Sequence, residues 1–284
     1  MPIIRLDRVG LFYTDTGQPV GVSATEHGPT LLLVHGWGGA GGQWAPLLPH
    51  LAVPGLRVIV PDLRGHGTSR SQWGPDDWLS GRVRDDDFTP RALAADLAQL
   101  LAELRTGPVI AVGHSMGGQV VTALGVEHPT HVSALVVLDP AYAADDEELA
   151  RIPGEQAALR AEGSTWAARF MAGAFSAHAL PGLSEREQRL MAATDPRVLA
   201  AARDGMYLTD DSFGARRSTA AYLARCQIRT LAIYSNTAPA DWYRAHGLRH
   251  AASEVTVLPD TGHYLQLEKP RAVADLINGF AARF

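Results

Sequence analysis

The stretch Val109-Ile110-Ala111-Val112-Gly113-His114-Ser115-Met116-Gly117-Gly118 decides how the rest of the chain is read. Apolar, mostly β-branched residues lead into a Gly-x-Ser-x-Gly turn, and an apolar helical pattern continues from Ser115 to Glu127. An unbroken apolar run marks a strand covered on both faces, as in a parallel sheet, rather than one that alternates between core and water. The small residues flanking Ser115 permit a turn tight enough to lift its hydroxyl above the sheet. The bare pattern is common, but between a buried strand and an apolar helix it points to a nucleophile.

Working outward, similar short apolar runs occur at Leu31 to Val34, Arg57 to Val60, Ala134 to Leu138, Thr230 to Tyr234 and Glu254 to Leu258. Helical patterns lie between them. Thr89 to Leu104 carries Leu93, Leu97, Leu100, Leu101 and Leu104 on one face, and Pro270 to about Phe284 closes the chain. Pro90 and Pro270 sit where a first helical turn tolerates proline. Strands alternating with helices imply right-handed crossovers and an α/β fold with a mostly parallel, doubly wound sheet.

The alternation breaks between Ala141 and Arg225, a stretch rich in Ala, Arg, Glu and Leu and interrupted by Pro153, Gly163, Pro181 and Pro196. It reads as four or five helices without a strand, a helical cap spanning residues 141–225. Residues 1–140 and 226–284 then form the core domain. Trp73, Trp78 and Asp85-Asp86-Asp87 lie in a long segment before the helix at Pro90, read as a solvated surface excursion, with a pocket-edge loop as the alternative.

Composition narrows the partners. With 46% hydrophobic and 19% charged residues the 284-residue chain has ordinary globular usage, and a net charge of -5 offers neither a basic stripe for nucleic acid nor a polybasic membrane anchor. A small-molecule substrate is expected, with the protein a monomer or homodimer. The single cysteine, Cys226, excludes an internal disulfide framework and a four-cysteine zinc site. The aspartate triplet has no histidine or further carboxylate to complete a metal site. No metal and no organic cofactor are expected. No run approaches the roughly 18 to 20 apolar residues of a membrane helix, and nothing after Met1-Pro2-Ile3 reads as a signal peptide, so a cytoplasmic location is the expectation.

Four motifs stand in a telling order: His35-Gly36-Trp37-Gly38-Gly39, then Asp62-Leu63-Arg64-Gly65-His66-Gly67-Thr68-Ser69, then Gly113-His114-Ser115-Met116-Gly117-Gly118, and finally Gly262-His263. In this the chain resembles the α/β-hydrolase superfamily, and within it the esterase-like members with a helical cap. The resemblance implies a serine hydrolase acting on an ester, lactone or thioester of a small, largely apolar molecule through an acyl-Ser115 intermediate. His263 would serve as base and then acid, and the backbone N–H groups of Trp37 and Met116 would hold the oxyanion. His35, Gly36, His114, Trp166, Phe170 and Tyr264 are candidates for the substrate pocket.

The acid partner departs from the superfamily's common pattern. Most members carry it shortly after the strand that follows the cap, where this chain has Tyr234-Ser235-Asn236-Thr237-Ala238-Pro239 and the expected position holds Ala238. Asp139, after the earlier strand, is the preferred replacement, and Asp241 the alternative; a weak or absent acid is the third case. Asp260 is read as a turn former. The departure keeps two other functions open. Cofactor-independent dioxygenases and other non-hydrolytic enzymes of this fold, acting on aromatic or heteroaromatic substrates, carry their acid where Asp139 stands. A non-catalytic ligand-binding protein could also have kept the scaffold.

Overall fold

The computed structural model describes residues 3–17, 28–70 and 75–284. In chain order its elements are β1 (Ile3–Arg5), β2 (Gly10–Asp15), β3 (Thr30–Val34), β4 (Arg57–Pro61), α1 (Pro75–Leu79), α2 (Pro90–Glu103), β5 (Val109–His114), α3 (Met116–Glu127) and β6 (Val132–Leu138). A helical insert follows, made of α4 (Asp146–Glu162), α5 (Ser164–Ala172), α6 (Leu183–Ala192), α7 (Pro196–Tyr207) and α8 (Arg216–Leu223). The chain then returns to the sheet with β7 (Thr230–Tyr234), α9 (Thr237–His246), β8 (Glu254–Val257), α10 (Leu265–Glu268) and α11 (Pro270–Ala281).

The eight strands run in the order β1-β2-β4-β3-β5-β6-β7-β8. From β4 to β8 every pairing is parallel, while β1 and β2 add an antiparallel edge. The apolar runs became strands because both of their faces are covered: β3, β4, β5 and β7 are buried throughout. Alternation assigns each side chain to a layer. Leu32, Val34, Ile59 and Ala111 join the core under α2, α3 and the insert, whereas Leu31, Leu33, Val60, Ile110 and Val112 join Val273, Ile277 and Phe280 of α11. Cys226 is buried, and burial raises its thiol pKa.

Helix ends follow local chemistry. The Thr89 hydroxyl accepts the Ala92 N–H at 3.2 Å and Pro90 occupies the first turn of α2. Pro153 does not interrupt α4; it is exposed, where water can satisfy the carbonyl it leaves unpaired. Five elements described here lie outside the sequence reading. The β1–β2 hairpin is short and only partly buried, α1 and α10 are single short turns of helix, and α9 starts within the Tyr234–Pro239 stretch because Pro239 falls in its tolerant first turn.

The segment before α2 corrects one expectation in part: Asp85 and Asp86 are exposed, but Asp87 is buried and Trp78 partly so. Trp78 stacks on the fully buried Phe88 at 5.4 Å, with the Arg197 guanidinium 4.9 Å from its ring centroid. Asp87 is buried, pairs with Arg8 at 2.9 Å and accepts the Arg84 N–H at 2.9 Å. That carboxylate is too well used inside the protein to form a solvated excursion. Trp73 lies outside the described residues.

Candidate active site

Register brings the chemistry to one end of the sheet. Val34 pairs with Gly113, His114 with Leu138, and Tyr234 with Val257, so the turns carrying Trp37, Ser115, Asp139 and His263 open side by side beyond the strands' carboxyl ends.

Ser115 has φ 53° and ψ -119°, a conformation that L-residues avoid at a cost of about 1–3 kcal/mol. Its neighbours enforce the turn. A Cβ on Gly113 would lie 2.2 Å from the Gly117 carbonyl oxygen, and one on Gly117 would lie 2.4 Å from that of Val34. The Ser115 N–H is anchored on Leu138 at 3.0 Å. Met116 is the first residue of α3, so its N–H has no intrahelical acceptor. The Trp37 N–H donates to no backbone carbonyl among the described residues. Both donors belong to turns flanking Ser115.

The loop holding Trp37 is braced by buried polar groups. The His35 Nδ1–H donates to the Gly36 carbonyl at 2.8 Å while Nε2 accepts the Leu63 N–H at 3.0 Å, which fixes a neutral tautomer, and burial lowers its pKa. The Asp62 carboxylate accepts Gly41 N–H at 2.6 Å and Thr68 N–H at 2.7 Å, and Arg64 pairs with Asp96 at 2.5 Å. The Asp62–Ser69 motif is therefore structural support. The Trp37 indole Nε1–H donates to Leu199 of α7 at 2.8 Å.

His263 and Asp139 meet: Nδ1 and Oδ2 are 3.3 Å apart. Ser235 adds two donors to the same carboxylate, its N–H at 2.8 Å and its hydroxyl at 2.6 Å. Burial opposes ionisation of Asp139, yet His263 and the Ser235 donors outweigh it and hold the carboxyl below its ordinary pKa. Asp139 itself has φ 38°. Asp241 lies elsewhere, on α9, with its side chain 62% exposed and paired to Arg244 at 2.6 Å. Asp260 occupies a left-handed turn. His114, buried beside Ser115, donates through Nε2 to the His263 carbonyl at 2.8 Å, and burial followed by the nearby His263 lowers its pKa to about 3.

Ser115, His263 and Asp139 share a cavity of about 710 Å³. Gly36, Trp37, His114, Phe170 and Tyr264 also line it. Two pocket candidates do not. His35 is fully buried by its two hydrogen bonds, and Trp166 is off the wall, stacked on Phe170 at 5.1 Å. A second cavity, about 640 Å³ beside Asp62 and Thr68, contains neither Ser115 nor His263.

The cavity wall also includes residues that sequence reading did not single out: Met171, Met206, Tyr207, Trp242 and the ion pair Arg203–Glu155. Arg203 is only 5% exposed and its guanidinium carbon lies 5.2 Å from the Phe170 ring centroid. Only the fold reveals them, because residues on different helices have no fixed spacing in sequence. Ser235 lay inside the quoted Tyr234–Pro239 stretch, but nothing local marked it as the carboxylate's donor. Among the described residues no group of three or more His, Cys, Asp or Glu is placed to hold a metal ion, and no helix is long and apolar enough to cross a membrane.

A parallel sheet whose central strand ends in a serine on a left-handed turn, beside a histidine–carboxylate pair, defines the class of α/β-hydrolase-fold proteins. The family model described as alpha/beta hydrolase fold matches residues 29–270, and the chain belongs to that family. It is 37% identical over 131 residues to lipase LipV from Mycobacterium tuberculosis, a match covering 45% of this chain and 44% of that protein. The chain thus spans less than half the length of that relative, and about a third of other curated relatives it matches. A pimeloyl-[acyl-carrier protein] methyl ester esterase from Xanthomonas campestris pv. campestris is 29% identical across 92% of this chain and 98% of its own. The solved structure of a thermophilic esterase from Thermogutta terrifontis superposes with a TM-score of 0.75 at 26% identity, covering 97% of this chain and 94% of that one.

Proposed function

We propose that the protein hydrolyses a carboxylic ester, lactone or thioester of a small, largely apolar molecule through an acyl-Ser115 intermediate. The observation that carries this reading is the strained Ser115 turn opening into the same cavity as the paired His263 and Asp139. In this mechanism Ser115 Oγ attacks the acyl carbon while His263 Nε2 takes its proton. Asp139, ionised and held by Ser235, accepts the Nδ1–H and stabilises the imidazolium that forms. The N–H groups of Trp37 and Met116 receive the negative charge that develops on the carbonyl oxygen. Collapse expels the alcohol or thiol with the proton from His263, and water then repeats the sequence to release the acid. The residues 141–225 act as a cap whose Phe170, Met171 and Met206 bound the apolar part of the substrate. Esterase and lipase relatives support the reaction class.

Mass spectrometry after exposure to a fluorophosphonate, with turnover of aryl esters alongside, tests it. One adduct is expected on the wild type and none on Ser115→Ala or His263→Ala, with turnover lowered by a factor on the order of 10⁶. An unmodified wild type that turns over no ester overturns the reading. One observation favours a second: Asp139 stands after β6, the place the resemblance assigns to cofactor-independent dioxygenases. That reading predicts oxygen uptake with an aromatic substrate and residual activity in Ser115→Ala.

A further inference from the structure

The His263 loop is fastened to the helical insert as well as to the sheet. Its own N–H donates to the Ala174 carbonyl, in the link between α5 and α6, at 2.7 Å. One side chain doubles this tie. The Glu268 carboxylate accepts the Gly262 N–H at 3.0 Å on Oε1, which also takes the Ser176 N–H at 3.3 Å, while Oε2 accepts the Ser176 hydroxyl at 2.5 Å. The Ser176 oxygen in turn accepts the His178 N–H at 3.1 Å. Next door, Phe175 stacks on Tyr264 at 4.8 Å with the rings 3° from parallel. The seam is closed tightly: a Cβ on Gly262 would lie 2.5 Å from the Ala174 oxygen, 2.6 Å from the Ser176 nitrogen and 2.7 Å from Glu268 Oε1.

We propose that Glu268 is a positioning residue that couples the α5–α6 link to His263, so that seating of the insert and alignment of the imidazole are one event. The inference rests on His263 serving as the base. Its chemistry is simple. A charged acceptor holding donors from both sides of a seam makes stronger bonds than a neutral one, and here two of those donors belong to the insert and one to the residue before His263. His263 meets Asp139 at 3.3 Å, a separation at which small loop displacements change the hydrogen bond strongly. When the insert lifts, Ser176 leaves Glu268, the Gly262 N–H loses its fixed acceptor direction, and the ring drifts from Asp139. Around the imidazole stand Asp139, the neutral His114 and Tyr264, and the bond to Asp139 is the one whose geometry sets the ring's orientation.

The experiment compares the full chain with Glu268→Ala, Glu268→Gln and Ser176→Ala, measuring kcat and KM for a short-chain aryl ester and the rate of fluorophosphonate labelling. Glu268→Ala is expected to lower kcat by about 100-fold with KM little changed, the scale of a misplacement near 1 Å. Glu268→Gln keeps a carbonyl oxygen for the Gly262 N–H and should recover most of the loss. Ser176→Ala, which removes only the hydroxyl, should show a smaller loss and serves as the deciding variant if Glu268→Ala fails to fold. Wild-type kcat in Glu268→Ala, or in Ser176→Ala where that variant decides, overturns the inference, as does a loss confined to KM. So does a Glu268→Gln as impaired as the alanine variant. If His263→Ala is itself fully active, the serine-hydrolase reading falls first; a dead His263→Ala beside an unimpaired Glu268→Ala sinks this inference alone.

Discussion

The turns at the strand ends and the helical insert are built on different principles. At the strand ends three non-glycine residues, Ser115, Asp139 and Asp260, sit at φ between 38° and 54°. In the insert the contacts are helix faces and ion pairs, some between exposed or half-exposed side chains, such as Arg151–Glu147 and Arg216–Asp145, and one, Arg203–Glu155, with its arginine buried against the cavity. Exposed pairs of this kind contribute about 0–1 kcal/mol each. The candidate site thus stands on strained backbone, and the outer wall of the cavity on side-chain contacts between helices.

The comparison can be tested hardest at Asp139. Asp139→Asn should lower kcat by a factor on the order of 10⁴, while Asp241→Asn on the exposed face of α9 leaves it within about twofold, a change below roughly 0.5 kcal/mol. Steady-state kinetics with an aryl ester measure both, and the reverse ranking would remove Asp139 from the site. The same variant carries a pH signature. The folded-state pKa of Asp139 is depressed from its ordinary value of 3.8, so its contribution to stability is fully present above that value and is lost as pH falls through the folded one. Denaturant melts of the wild type and Asp139→Asn should therefore converge below about pH 4 and run parallel above it.

Smaller effects sharpen the contrast. Gly117→Ala drives a methyl to 2.4 Å from the Val34 oxygen and should destabilise the fold by about 1–3 kcal/mol or more, read as a lowered midpoint in urea. A midpoint equal to wild type would show the elbow to be soft. Phe170→Ala, on the insert, should leave stability nearly unchanged, since the side chain is 46% exposed, and raise KM for long acyl chains by roughly tenfold. An equal fall in kcat for every chain length would mean that the insert helps shape the reacting end.

Much of this was legible in the sequence because the informative residues were contiguous. The apolar runs at Leu31–Val34 and Val109–Val112 carry their strand signal within a few residues, and Ser115 is identified by its immediate neighbours. What the sequence left open was set by long-range approach. Whether Asp139 or Asp241 meets His263 depends on how β6 and β7 pair, and α9 turns Asp241 to solvent by starting at Thr237. Asp87 looked like one of three solvated aspartates until Arg8 and the Arg84 N–H claimed it. Trp166 shares its helix with Phe170, yet only one of the two rings reaches the cavity.

Residue 37 separates two histories within one position. Its main-chain N–H is assigned to the reaction, and any side chain supplies that group equally well; its indole serves α7 instead, through the bond to Leu199. A lineage descending from this protein can therefore shift α7 and trade the tryptophan for another residue while the proposed oxyanion donor passes unchanged to each descendant.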